Sequence, residues 1–162
     1  MIPEITSQYR ASLKMLTDVI NKCPDTLWND TSYENAYWRI VYHTLFYTAL
    51  YLSESPSAFK PWAKHIANYN SLGMLTRDGK PVVIEQVYAK DELTEYAESI
   101  FEECEAAVPK FINNETSGFP WVPLNRFSLH LHNLRHIQHH TGQLTERLHQ
   151  AGIKGIEWVG LG

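Results

Sequence analysis

Five of the eight histidines in this chain fall between His130 and His140, in the string SLHLHNLRHIQHHTGQL. On a helix, residues three or four apart share a face, so His132, His136, His140 and Gln143 make one stripe. His139 lies about 100° around the axis from His140. Two imidazoles at i and i+4 project side by side, and their nitrogens can meet at an ion about 2.0–2.1 Å from each. Helical metalloproteases use the same spacing, but Ile137 follows His136 where their glutamate base would stand. A two-histidine site is incomplete, so a third ligand has to come from another helix.

His43 is that candidate. It sits in the apolar string WRIVYHTLFYTALYLS. A lone histidine in such a place is more often a hydrogen-bonded core residue. The histidine-rich partner segment shifts the weight to a three-histidine site at His43, His136 and His140, since bundle cores commonly assemble ligands from facing helices. Imidazole donors suit zinc, nickel, iron and copper. The expected cofactor is one divalent ion, with zinc, nickel, iron or manganese left open. Three protein ligands leave coordination positions free, the pattern of a catalytic site, where a bound water becomes a nucleophile near neutral pH. Gln143, one turn beyond His140, is the candidate to orient that water or a group that supports a ligand. No residue is assigned a direct catalytic role.

The remaining histidines carry plainer readings. His65 is expected in a surface loop and His149 at a helix end. His130 and His132 are expected to be exposed. His139 is expected to support a ligand or to face a dimer partner. An exchange of His132 or His139 for one of the three ligands stays open. No Ser-His-Asp order and no glycine-rich phosphate loop occurs. The acids of EYAESIFEECEAA fit a solvated helix face.

The elements that must position these side chains are helical. Residues 4–22, about 34–53, 91–112 and about 128–150 show apolar residues at three- and four-residue steps. In the first, Ile5, Tyr9, Leu13, Leu16, Val19 and Ile20 form the stripe. In the second they are Trp38, Val41, Leu45, Thr48 and Leu52. In the third, Leu93, Tyr96, Ala97, Ile100, Phe101, Cys104, Val108 and Phe111 do so. Ser32 or Asn35 is expected to cap the second helix, and Gly152 to close the fourth. Trp28 is expected to anchor a turn, and Trp158 to pack back on the bundle. The punctuated stretch 54–90, with Pro56, Pro61, Gly73, Gly79 and Pro81, reads as a long excursion over one end. A short helix is expected within 57–68 and an extended run in PVVIEQVYAK. The expected fold is an all-α four-helix bundle in one domain, residues 1–162, with a long crossover between the second and third long helices.

Composition bounds the function classes. The chain has 162 residues, 44% hydrophobic and 20% charged, as expected of one soluble globular domain. A net charge of −4 and the lack of a basic stripe argue against nucleic acid as a partner. The N-terminal Met-Ile-Pro-Glu-Ile has no secretory signal pattern, and the longest apolar region is interrupted by Arg39 and His43, so no membrane span is expected. Cys23 and Cys104 form no CxxC motif and read as idle thiols in a reducing cytoplasm, the expected location.

The string from His136 to Leu144, read as His-x-x-x-His-x-Gly-Gln-Leu, resembles the C-terminal motif of the DinB-like (DinB/YfiT) superfamily. WRIVYHTLFYTALYLS resembles that family's second helix with its single ligand histidine, and CPDTLW and AGIKGIEWVG are similar too. Thr141 departs from the residue that often follows the second ligand histidine, and the stretch 56–90 is the least similar part. The resemblance implies a metal triad at His43, His136 and His140, a crossover bundle and a homodimer. It implies a metal-dependent enzyme acting on a small molecule, a thiol transferase or a hydrolase, with a low-molecular-weight thiol as a candidate co-substrate. Arg39, Lys60, Lys64 or Arg77 would then bind its carboxylates. The contrasting reading, motivated by the 12% aromatic content, is a non-catalytic metal-binding or stress-response scaffold acting through its dimer surface.

Overall fold

A computed structural model describes residues 2–76, 78–111 and 115–162. The described residues form five helices: α1 (Ile2–Lys22), α2 (Asp25–Trp28), α3 (Tyr37–Leu52), α4 (Lys90–Phe111) and α5 (Arg126–Gln150). The four long ones match the periodic segments of the sequence within a few residues. The apolar stripes named for α1 and α3 are buried throughout. In α4 the stripe is buried from Leu93 to Val108 except for Phe101, which is 37% exposed. The side chain of Phe111 lies outside the described residues. Nearly every residue of α3 is buried, because helices or loop cover all its sides.

Packing fixes the arrangement. α1 lies against α4 and α5, and so does α3, so α1 and α3 are diagonal across the bundle. The Tyr9 hydroxyl meets His130, and Gln138 reaches Met15, so α1 and α5 run the same way. Asn133 donates to the Thr48 carbonyl and Arg147 to that of Asn35, so α3 runs against α5. Arg10 pairs with Glu105 while the Leu13 to Lys22 half of α1 shares a cleft with Ala97, so α4 runs against α1. α3 and α4 therefore point the same way, and the chain between them must return the length of α3, about 24 Å.

It does so along α3, and not over one end as the sequence suggested. Phe59 packs on Phe46, Trp62 on Tyr42, and Tyr69 and Tyr88 on Trp38, in order from the C-terminal to the N-terminal end of the helix. Buried tyrosines hold the connection. The Tyr69 hydroxyl accepts from the amides of Glu85 and Gln86, and that of Tyr88 donates to the Lys64 carbonyl. Trp28 donates to the Tyr88 carbonyl at 2.8 Å and is buried, as an anchor should be. Residues 57–68 form turns and no helix; Pro61 removes a donor from the middle of any such helix. PVVIEQVYAK forms neither helix nor strand before α4 begins at Lys90, apart from an isolated bridge between Leu75 and Pro81.

The helix ends have local causes. α3 begins after Ala36, which has no side chain to cap it, so neither Ser32 nor Asn35 is the cap. α5 is capped by Asn125, whose side chain accepts from the Ser128 amide at 2.8 Å. Gly152 takes φ 81°, with Ile153 donating to the Leu148 carbonyl and Gly152 to that of His149. This paired closure needs a left-handed residue, which glycine supplies without strain. The following tail lies along α1: Gln8 donates to the Gly160 carbonyl, and Gly162 to the Ser7 hydroxyl. Trp158 itself is 76% exposed, because backbone contacts and not its ring hold the tail. Among the described residues no helix is long and apolar enough to cross a membrane.

Candidate metal centre

His43 projects from the middle of α3 and His136 and His140 from the facing stretch of α5. Because the two helices are antiparallel neighbours, side chains four apart on one meet side chains four apart on the other. The three rings form a triangle with centroid separations of 5.1 Å (His43 to His136), 4.7 Å (His43 to His140) and 4.7 Å (His136 to His140). One nitrogen from each lies within 4.8 Å of the others. The Nε2 atoms of His43 and His136 are 3.1 Å apart. Two nitrogens on one tetrahedral zinc ion stand about 3.3 Å apart, given bond lengths of about 2.0–2.1 Å. The three residues could thus hold one metal ion.

Hydrogen bonds set which nitrogens face inward. His43 Nδ1 lies 2.7 Å from the Asn70 carbonyl oxygen, which only accepts, so Nδ1 carries the proton and Nε2 presents a lone pair. His140 Nδ1 lies 3.1 Å from Gln143 Oε1, which by the same logic leaves Nε2 of His140 as a donor atom. Gln143 thus meets the ring of His140 itself. His136 has no such support: its Nδ1 is buried without a hydrogen-bond partner. Tyr47, one turn past His43, packs its ring 4.8 Å from that of His43 and 5.8 Å from that of His136, closing one side.

All three rings favour the neutral form that a metal needs. Burial pushes His43 down to about 4, against the Asn70 carbonyl, with smaller contributions from His140, Arg39 and His139. Burial pushes His136 down to about 3, helped by His43 and His140. Burial lowers His140 too, opposed by Gln143. Desolvation dominates in each case because the cluster lies between packed helices.

The other histidines divide differently from expectation. His130 is 2% exposed and accepts from or donates to the Tyr9 hydroxyl at 3.1 Å, so it is a core residue and not an exposed one. The sequence held a signal for this. His130 stands in register with Asn133, Ile137, Thr141, Leu144 and Leu148, the buried face of α5. His132 is partly buried, edge-on to Tyr51 at 5.6 Å, and belongs to no metal-sized cluster among the described residues. His139 is exposed, with its ring 4.8 Å from that of His140. His65 lies in the connection as expected, but it is partly buried, 2.6 Å from the Tyr42 hydroxyl. His149 is exposed at the end of α5.

Of the four basic candidates, Lys64 is engaged by Glu92 at 3.1 Å, Lys60 is exposed on the connection, and Arg77 lies outside the described residues. Arg39 alone stands one turn from a triad residue, with Nη2 2.6 Å from the Ser71 carbonyl. The Asn70 carbonyl was invisible to sequence reasoning, because a main-chain oxygen leaves no mark in residue type. A separate cleft of about 1050 Å³ lies between α1, α4 and the tail, with Phe101 and Trp158 on its walls, and no triad residue lines it. Among the described residues it holds no cluster of three metal-ligating side chains. No protein-family model, curated protein or solved structure matches this chain.

Proposed function

We propose that this chain is a DinB-like metal-dependent enzyme that holds one divalent ion at His43, His136 and His140 and acts on a small molecule as a thiol transferase or hydrolase. The observation that supports it is the meeting, from two antiparallel helices, of three neutral imidazoles at ligand spacing. The all-helical fold of the described residues, compatible with a helical bundle, supports the reading. A bound ion would supply Lewis acidity to a coordinated thiol or carbonyl.

The chain's own residues prepare that chemistry. Asn70 and Gln143 hold His43 and His140 in the tautomers that direct Nε2 inward. Tyr47 and the packed helices keep water from one side of the cluster, which strengthens electrostatic interactions there. Three protein donors leave positions for a substrate atom, unlike a closed four-ligand structural site. Solubility in the cytoplasm, a homodimer, and no nucleic acid as partner complete the proposal.

The test is elemental mass spectrometry of untagged protein, wild type beside His43→Ala. About one zinc, nickel, iron or manganese per chain, lost in the variant, is the expected result. Wild-type protein that stays metal-free after refilling with each ion overturns the reading. A panel of thiols and electrophiles on the loaded protein then separates the enzyme from a second reading, a non-catalytic scaffold. The exposed Phe101, Trp158 and Leu161 favour that second reading, since they offer an apolar surface away from the histidines.

A further inference from the structure

α3 and α5 meet along a polar seam that extends beyond the three histidines. Asn35 faces Arg147, His43 faces His136 and His140, and Thr48 faces Asn133. In that antiparallel register Arg39, four residues before His43, comes opposite Gln143, three residues after His140. Along the helix axes Arg39 lies about 6 Å from His43 and Gln143 about 4.5 Å from His140. The segment Asn70–Ser71 runs across both: its successive carbonyls accept from His43 and from Arg39.

The charge of Arg39 has no counterpart. Among the described residues no carboxylate pairs with it, and burial alone pulls its guanidinium below its usual range. Its Nε is buried with no hydrogen-bond partner. The Ser71 carbonyl occupies one of five donors and brings only a partial charge. Several other cations are engaged. Arg10 has Glu105, Lys64 has Glu92, and Lys90 has Asp25. Arg147 has the Tyr33 ring at 4.2 Å and Asp30 nearby. A partly buried, uncompensated guanidinium is costly unless an anion completes it, and its planar fork suits a carboxylate.

We infer that Arg39, with the Gln143 amide across the seam, forms an anion subsite beside the triad that takes the carboxylate of a small-molecule substrate. The substrate class this defines is a short carboxylic acid whose reacting group lies within about 6 Å of its carboxylate, so that one end engages Arg39 while the other faces the histidines. The inference rests on the metal-centre reading above. It narrows the four basic candidates of the sequence to one, by charge balance and register.

The test uses two isosteric probes, 3-mercaptopropionate and 3-mercaptopropionamide, titrated calorimetrically into the zinc-loaded full chain. The acid is expected to bind about tenfold more tightly than the amide, a difference of about 1.4 kcal/mol. Arg39→Gln, compared at equal zinc content, is expected to lose that preference, and Arg39→Lys to keep part of it. Retention in the lysine variant separates loss of charge from loosening of the Ser71 segment. Zinc uptake with equal binding of both probes, binding of neither, or a preference unchanged in Arg39→Gln overturns the subsite and leaves the metal centre standing. Failure of the wild type to take up zinc overturns both.

Discussion

Replacing His130 with glutamine and measuring stability across the weakly acidic range tests the account of the bundle's interior. His130 is 2% exposed, on the inner face of α5, with the Tyr9 hydroxyl at Nδ1 and no partner for Nε2. Burial, helped by the Arg126 charge one turn away, pushes it from 6.5 down to about 4. A histidine with a depressed folded pKa stabilises the fold above its unfolded pKa, and that contribution is lost as pH falls towards the folded value. For a drop from about pH 7.5 to about pH 5, the lost contribution is about 2 kcal/mol. Urea unfolding with a chelator present would compare wild type and His130→Gln at both pH values. The chelator keeps the triad metal-free in both proteins, so its acid titration contributes to each curve alike. The variant is expected to be less stable at about pH 7.5 by about 1–3 kcal/mol, through the lost Tyr9 contact. Its pH dependence should then be shallower by about 2 kcal/mol, so the two stabilities converge in acid. Parallel pH dependences would refute the burial of an uncharged imidazole in the core.

Gln143→Ala frees the ring of His140 and is expected to weaken zinc binding by about 10–100-fold with little change in helicity, measured by competition with a chromophoric chelator. An unchanged affinity would mean that the helix alone orients His140. Gly118→Ala is expected to destabilise by about 1–3 kcal/mol in urea unfolding. Gly118 sits at φ 82°, and an added Cβ would collide with the Glu54 carbonyl and approach the Arg126 guanidinium at 2.7 Å. A neutral substitution would show that this turn does not press against the end of α3.

The sequence by itself determined the four long helices, because apolar residues at three- and four-residue steps report a face to be buried whatever that face meets. The pairing of His136 with His140 was equally legible, since both lie on one helix and their geometry is local. The choice of His43 as their companion came from its apolar setting and from a family resemblance; periodicity cannot say which helix faces which. Tertiary structure decided that α3 packs antiparallel to α5, and that register alone sets His43 across from the pair and Arg39 across from Gln143. It also decided that the connection returns along α3, which brings the Asn70 carbonyl to His43, an acceptor that any residue type would provide. Conversely, exposure is expected of His130 because it precedes the proposed site, although its register with Ile137, Leu144 and Leu148 marks it as inward-facing. The core accepts it because Tyr9, a distant residue on α1, shares its hydrogen bond, and such pairing across helices exists only once the chain has folded.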